Sequence, residues 1–177
     1  MLLLGTNAAF ADYQKTPSYQ EDFSFALDFF ASLLAATEKP FPDVFVAVAD
    51  TDKRLQDAKD RGLRVSPVAL PALAVGFTRA GDAAAHLRAA QTALAIERYR
   101  LAHGDAPPDS LEALVPAFLE AVPTDPFDGK PLRFEKLAGG GYILYSVGKD
   151  LQDDHGVSAP AGTKVGAPAD IPFAVRR

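Results

Sequence analysis

The sequence predicts an α+β fold in which N-terminal helices and a long spine helix accompany a small antiparallel sheet. Helical periodicity dominates the first hundred residues, and an alanine-rich stretch without Gly or Pro runs from Asp82 to His103. Two short runs of strand formers follow, separated by three glycines. We therefore predict a helical N-terminal region over residues 1–80 and an α+β domain over residues 81–177.

Composition excludes several classes of function. The chain has 177 residues, 48% of them apolar, which is enough to bury a core. Its net charge is -5 and its 18 Lys and Arg are scattered, so nucleic acid is not an expected partner. The absence of cysteine excludes disulfides and thiolate sites, and no two of the three histidines have metal-ligand spacing.

Two N-terminal features bear on targeting. Ala9-Phe10-Ala11 resembles a signal-peptidase site, but no basic residue precedes it, so a signal peptide is not favoured. The longest apolar run, Pro67 to Phe77, contains Pro71 and is shorter than the roughly 20 residues that span a bilayer. We expect no membrane span in this chain, which as written would be soluble.

The first 17 residues show no clear period and are predicted to form a loose lead-in. Ser18 and Glu21 form a capping-box pattern, so a helix should begin there. Its predicted core face carries the following residues at helical spacing: Phe23, Ala26, Leu27, Phe30, Leu33 and Leu34. Phe25 and Phe29 form a second apolar row on the adjacent side, so the helix is expected to be covered on two sides, by core packing or as a docking face for a partner or for a missing part of the polypeptide.

The next two helices differ in how firmly the sequence specifies them. Asp43 to Arg61 is predicted as one helix, capped by Asp43 and ended by Gly62, although alternating valines near its start also suit a strand. In the spine helix, Leu87, Leu94 and Leu101 recur every seven residues, with Ala83 and Ala90 on the same face. We predict that this leucine face contacts the sheet, and that Gly104 ends the helix.

The last third predicts a short helix and a hairpin. Asp109 should cap a helix over Ser110 to Leu114, with Glu112 reciprocating. Strands are predicted at 131–135 and 142–147, with Leu132 and Phe134 matching Ile143 and Tyr145 across the pair. A third strand over 171–175 should lie at an edge, because Pro172 cannot donate to a ladder.

Several segments in this order resemble the major pseudopilin of type II secretion systems. They are TALAIERYRLAHG (92–104), SLEALVP (110–116), VPTDPFDGKPLRF (122–134), YSVGKD (145–150) and Asp170-Ile171. The resemblance covers about Asp82 to Ile171. It implies a helical spine followed by a small antiparallel sheet, without enzymatic activity, that acts in assembly or interaction with protein partners at the cell envelope or outside the cytoplasm.

The chain is similar in particular to larger bacterial proteins that carry such a module behind helical regions. Residues 1–80 would then be the tail of one such region, with a membrane anchor further upstream. In the pseudopilin family the spine continues into a processed membrane-spanning segment that builds a filament. This sequence contains neither the processing motif nor the apolar span, so filament formation through that segment is not expected of it.

Oxygen-bearing side chains are concentrated in the acidic loop, residues 147–170, and at the residue before it. Calcium takes six to eight hard oxygen ligands, which carboxylates a few residues apart can supply, whereas solvated turns have a similar composition. The pattern is not an EF-hand. The predicted ligands are Ser146, Asp150, Asp153, Asp154 and Asp170.

The resemblance implies the same metal. The family binds calcium through an S-x-G-x-D-G pattern and a later D-I pair. Ser146, Gly148 and Asp150 match the first pattern and Asp170-Ile171 matches the second, while Leu151 replaces the second glycine. A leucine is expected to disfavour the backbone conformation that glycine allows there.

Two other functions remain open from the residues. Asp125 and Asp128 flank a turn and could be paired carboxylates of an extracytoplasmic hydrolase or its accessory domain, although turn roles explain them more simply. No nucleophile, base and orienting acid occur together, so an enzyme is not expected. The third hypothesis is a helical adaptor that acts through Phe25 and Phe29.

Overall fold

The computed structural model describes residues 7–160, 162 and 169–177. It confirms the predicted α+β class, with six α-helices, two short 3-10 segments and three strands among these residues. The helices are α1 Asn7–Tyr13, α2 Pro17–Thr37, α3 Asp43–Ala47, α4 Thr51–Asp60, α5 Ser66–Ala69 and α6 Pro71–Ala102. The remaining elements are the 3-10 helices Leu111–Leu114 and Ala138–Gly140 and the strands β1 Arg133–Lys136, β2 Tyr142–Ser146 and β3 Ile171–Val175.

The chain divides into two compact units, Met1–Phe77 and Thr78–Arg177. The division falls inside α6, three residues before the predicted boundary at 80/81. Within the described residues no helix is both long enough and apolar enough to cross a membrane. The two units are described separately below.

The N-terminal unit corrects the predicted start of the first long helix. Residues 7–13, expected in a loose lead-in, form α1, because Tyr13 is buried and its hydroxyl donates to Asp22 at 2.7 Å. α2 begins at Pro17 after Thr16 with no side-chain cap bond, since proline presets the helical φ at its first position. Ser18 lies inside the helix, and Glu21 pairs with Arg61.

Only part of the apolar surface of α2 is buried, although its two apolar rows predicted a helix covered on both sides. Phe29 is fully buried with Leu33, Leu55 and Leu70, and Phe25 packs against this cluster. The expected core residues Phe23, Leu27, Phe30 and Leu34 are 45–67% exposed. The adaptor hypothesis therefore loses its surface, because Phe29 belongs to the core of its own unit.

The predicted helix over 43–61 is two helices. α3 ends at Ala47 and α4 begins at Thr51, whose hydroxyl donates to the Val48 carbonyl in the intervening turn. α3 follows Pro42, so Asp43 is its first residue and not its cap. Gly62, with φ +81, follows the end of α4 as predicted.

In the C-terminal unit, α6 packs on the sheet through a face different from the predicted one. Leu87, Leu94 and Leu101 are 60%, 68% and 86% exposed. The α6 residues in the core cluster are small or β-branched: Ala89, Ala93, Ala95 and Ile96. Small side chains let the helix approach the sheet closely, and the larger residues of β2 fill the space.

The sheet has the order β1-β2-β3, and both pairs are antiparallel. Phe134 pairs with Leu144, so Leu132, Tyr142 and Leu144 enter the core, and the predicted match of Phe134 with Ile143 and Tyr145 is wrong by one residue. A shift of one residue exchanges the faces of a strand. Ile143 and Tyr145 consequently point to the outer face, beneath the acidic loop.

Two connections frame this sheet. Before the 3-10 helix Leu111–Leu114, the cap position belongs to Ser110, while Asp109 pairs with Lys136 at 2.6 Å instead of capping. β3 lies at the edge, as predicted, with Pro172 opposite Tyr145. β1 forms the opposite edge and carries Arg133, Glu135 and Lys136.

Candidate functional site

The acidic loop connects β2 to β3, and residues 147–160, 162, 169 and 170 of it are described. Two glycines with positive φ hold it close to the sheet. A methyl group on Gly148 (φ +66) would collide with the Ala169 carbonyl, and one on Gly156 (φ +75) would collide with Ile143. Position 148 therefore requires glycine for space as well as for backbone conformation, whereas position 156 requires it chiefly for its positive φ, because the end of the Ile143 side chain can move.

Asp170 anchors the loop from its C-terminal end. Its side chain is 3% exposed, and Oδ2 accepts hydrogen bonds from the amides of Asp154 at 3.0 Å and Gly156 at 2.7 Å. The other oxygen, Oδ1, is buried and has no hydrogen-bond partner in the described part of the chain. A buried carboxylate oxygen without a donor or a cation costs free energy, and among the described loop residues Oδ1 is the buried side-chain oxygen in that position.

The electrostatic surroundings of Asp170 point the same way. Burial raises the pKa of its carboxyl, the amides of Gly156 and Asp154 lower it, and repulsion from Asp153 and Asp154 raises it again. The net shift of this pKa is upward. The ionised form is therefore disfavoured, and a cation beside Oδ1 would favour it.

The other predicted ligands from the loop have separate positions. Asp150 accepts from the Gln152 amide at 3.3 Å in a local turn. Asp153 accepts from the Tyr145 hydroxyl at 3.0 Å and from the His155 amide at 3.1 Å. Asp154 donates its backbone amide to Asp170, and the residue is exposed. No three acidic or His side chains are already grouped for a metal within the described residues.

Ser146 is fully buried and belongs to a different set of contacts. Its hydroxyl donates to Asp125 Oδ1 at 2.7 Å and accepts from the Gly148 amide at 3.1 Å. With the hydroxyl proton and a lone pair both engaged, the Ser146 carbonyl is the better candidate ligand. The structure thus brings Asp170 together with residues 153–156, and Ser146 together with Asp125.

Asp125 connects these segments, a role that the sequence did not predict beyond placing this residue in a turn. Asp125 is 0% exposed and accepts four hydrogen bonds, from the Phe127 amide, the Ser146 hydroxyl, the Val147 amide and Arg133. Arg133 also bridges to Asp128. The available sequence signal was Arg133, the arginine that begins the strand after the D-P-F-D-G turn. We call Asp125, Asp128, Arg133, Ser146 and Val147 the turn network.

The outer face of the sheet provides a second attachment for the loop. The Tyr145 hydroxyl lies 2.9 Å from Glu135 Oε1 and 3.0 Å from Asp153 Oδ1. Burial and these two carboxylates raise the pKa of Tyr145 well above its usual value, so it stays protonated. His155 Nδ1 lies 3.1 Å from the same Glu135 oxygen. This attachment holds residues 153–155 over β1 and β2.

Two described residues of the loop adopt left-handed backbone conformations without being glycine. They are Leu151 (φ +61) and His155 (φ +55). Leu151 replaces the second glycine of the S-x-G-x-D-G pattern, and it adopts a glycine-like φ although leucine disfavours that conformation. Such conformations cost about 1 kcal/mol or more each, and they persist where the surrounding contacts determine the backbone.

The paired-carboxylate alternative finds no support in this geometry. Asp125 has no exposed surface, and Arg133 forms ion pairs with both Asp125 and Asp128. Burial raises the pKa of Asp128, but the bond from Arg133 and the Lys130 amide outweigh it and lower that pKa. A shallow cleft is lined by Asp109, Glu112 and Phe134, among others. Neither Asp125 nor Asp128 lines it.

In comparisons with protein-family models, curated proteins and solved structures, nothing matches this chain. Inferences about function therefore depend on the acidic loop, on the turn network beneath it and on the sequence resemblance.

Proposed function

We propose that the C-terminal unit is a non-enzymatic, pseudopilin-like module whose acidic loop is stabilised by calcium. It acts in assembly or interaction with protein partners at the cell envelope. The resemblance supplies the class of module, and the long helix with its small antiparallel sheet agrees with that class. The calcium component has its own physical support.

The observation that carries the calcium proposal is the buried Asp170 Oδ1 without a partner. A buried acceptor of this kind can be satisfied by a proton or by a cation. Three further aspartates occur in the same loop, which favours a cation over a proton at neutral pH. A ligand set of oxygens alone, contributed by a loop, suits calcium, which accepts flexible geometry, better than magnesium or zinc.

The chain's own residues would supply the ligands as follows. Asp170 would contribute Oδ1 while Oδ2 keeps its two amide bonds. Asp150, Asp153 and Asp154 would contribute carboxylates that are now exposed or in weak turns, and Ser146 its carbonyl. Bound calcium would supply positive charge that offsets repulsion among these carboxylates.

The non-enzymatic part of the proposal follows from how the buried acids are used. Asp125, Asp128 and Arg133 neutralise and saturate one another, so they offer no free base. Their contacts instead fix the turn to the end of β2. A structural role accounts for every hydrogen bond that they make.

Thermal unfolding of the full chain tests the proposal. We expect millimolar calcium, added after chelation, to raise the melting temperature by several degrees, because a ligand that binds only the folded state stabilises it. Asp170→Asn should abolish this rise. The exposed Asp57→Asn on α4 removes one charge elsewhere and should leave the rise intact. Magnesium at the same concentration should have a much smaller effect.

An unchanged melting temperature of the wild-type chain on adding calcium would refute the calcium component. An equal rise in Asp170→Asn and wild type would place the ion elsewhere. Both results come from melting temperatures alone and require no knowledge of the protein partner.

A further inference from the structure

We infer that Asp125 is the positioning residue of the acidic loop, and that it couples the D-P-F-D-G turn to Asp170 on the far side of the loop. Toward calcium this inference rests on the proposed function. The coupling itself is a property of the chain and does not require the ion.

The Asp125 carboxylate binds two separate segments of the chain. Oδ1 of Asp125 accepts from the Phe127 amide at 2.9 Å and the Ser146 hydroxyl at 2.7 Å. Oδ2 accepts from the Val147 amide at 2.8 Å and from Arg133 at 3.1 Å. Two of these four donors belong to the turn and β1, and the other two belong to the point where β2 enters the loop.

Further contacts connect Ser146 to Asp170 at the other end of the loop. The Ser146 hydroxyl, oriented by Asp125, accepts the Gly148 amide at 3.1 Å. Gly148 is packed so closely on the Ala169 carbonyl that a methyl group would not fit. Ala169 precedes Asp170, which binds the amides of Asp154 and Gly156. A continuous series of contacts therefore joins Asp125 to the buried carboxylate of Asp170.

No other residue type can replace Asp125. All four partners are donors, and an ionised carboxylate is the small side chain that offers acceptors on both oxygens. Asparagine would present an NH2 group to two of the donors and lose the attraction to Arg133. Because the site has no exposed surface, water cannot replace the missing acceptor.

Asp128 provides a matched control. It pairs with the same Arg133 and accepts the Lys130 amide, but it makes no hydrogen bond to residues 146–148. Asp128→Asn therefore weakens the turn without touching the connection to the loop. The two variants differ in the coupling and share the loss of one carboxylate charge.

Amide hydrogen exchange of the full chain, in chelator, tests the coupling directly. Asp125→Asn is expected to speed exchange of the Asp154 and Gly156 amides by about tenfold or more, because opening there requires only local loss of the Asp170 bonds. Asp128→Asn should leave those two amides near their wild-type rates. Unchanged exchange at Asp154 and Gly156 in Asp125→Asn would overturn the inference, even if Val147 exchanged faster.

A second variant protects the test against unfolding of Asp125→Asn. Ser146→Ala removes only the hydroxyl link, and should also speed exchange at Asp154 and Gly156, by a smaller factor. If it leaves both amides unchanged while Asp125→Asn is unfolded, the inference is overturned.

Calcium titration then separates the two proposals. If wild type binds calcium, Asp125→Asn should weaken binding by about tenfold, in the range seen when outer-shell partners of metal ligands are removed, and Asp128→Asn should not. If wild type does not bind calcium, the proposed calcium role fails, and the exchange data still decide the coupling.

Discussion

Asp22 organises the N-terminal unit at the scale of a single residue. It is 2% exposed and accepts the amides of Arg64, Val65 and Ser66 together with the Tyr13 hydroxyl. Burial raises its pKa, but these hydrogen bonds, led by the contribution of Ser66, outweigh burial and lower the pKa to about 2. One carboxylate thus ties α1, α2 and the start of α5 together.

The lowered pKa of Asp22 makes a signed prediction about pH. Its usual value is 3.8, so the ionised carboxyl contributes about 2 kcal/mol above pH 4, and this contribution is lost as the pH falls through about 2. Denaturant unfolding of wild type and Asp22→Asn should differ most at pH 6 to 7, and the gap should narrow toward pH 2. A gap independent of pH would contradict this assignment, and Asp57→Asn provides the control.

Leu151 leads to a prediction of the opposite sign. Its left-handed φ costs about 1–2 kcal/mol, and its side chain is 58% exposed, so little packing would be lost with it. Leu151→Gly should therefore stabilise the fold by up to about 1 kcal/mol, after the greater freedom of glycine in the unfolded chain is counted. Leu137→Gly, at an ordinary extended φ of -100, should destabilise it, and chemical denaturation compares the two.

Residue roles of this kind were only partly predictable. Gly62 was predicted because a helix end needs a left-handed residue whatever its tertiary partners. Glu21 was assigned to a cap, yet it pairs with Arg61, forty positions along the chain. Asp22 obtains its importance from donors distant in sequence, and so does Asp125 apart from the Phe127 amide, so no local pattern predicts these contacts.

At the scale of elements, the two long helices show where periodicity succeeds and where it fails. α2 and the part of α6 from Asp82 onward were predicted, because a stretch without interior Gly or Pro and with repeating apolar positions favours a helix. Their buried faces were predicted only in part: Leu33 is buried as expected, whereas Leu87 and Leu94 are exposed. In α2 and α6 more than one row is apolar, and the choice of row depends on the size of the residues that face it. Ala89 and Ala93 allow close approach, which leucines at 87 and 94 would prevent.

Paired alanine substitutions in α6 test this assignment of faces. Ile96 is 0% exposed in the core with Leu114 and Leu144, so Ile96→Ala should cost about 2–5 kcal/mol. Leu94 is 68% exposed, and Leu94→Ala should change stability by no more than about 0.5 kcal/mol. The free energy of unfolding in urea measures both. A larger loss for Leu94→Ala would restore the predicted leucine face.

At the scale of the whole molecule, each unit draws its core from its own residues. The cluster of Phe29, Leu33, Leu55 and Leu70 belongs to the first unit, and the cluster around Ile96, Leu114 and Leu144 belongs to the second. The order of elements from α6 to β3 was predictable from glycine, proline and strand-forming runs. The positions of the predicted calcium ligands were not, because long-range contacts direct Ser146 and Asp170.

An independent core in the second unit predicts independent folding. Residues 78–177 alone should unfold in one cooperative transition, monitored by circular dichroism with heat or urea. The Ile96→Ala substitution in this fragment should lower its stability by about as much as in the full chain, because the core cluster around Ile96 consists of residues of the second unit. A fragment without a cooperative transition would show that the first unit is required for folding.

The two borders of the sheet limit how this molecule could polymerise. β3 carries Pro172, which has no amide proton to give to an incoming strand, and β1 carries Arg133, Glu135 and Lys136. Proline and charged residues at such borders oppose the joining of sheets from separate chains. Copies or partners are thus discouraged from adding strands, which also lowers the risk of fibrous aggregation. Assembly of this module is expected to use helix faces and loops, where specificity comes from side chains.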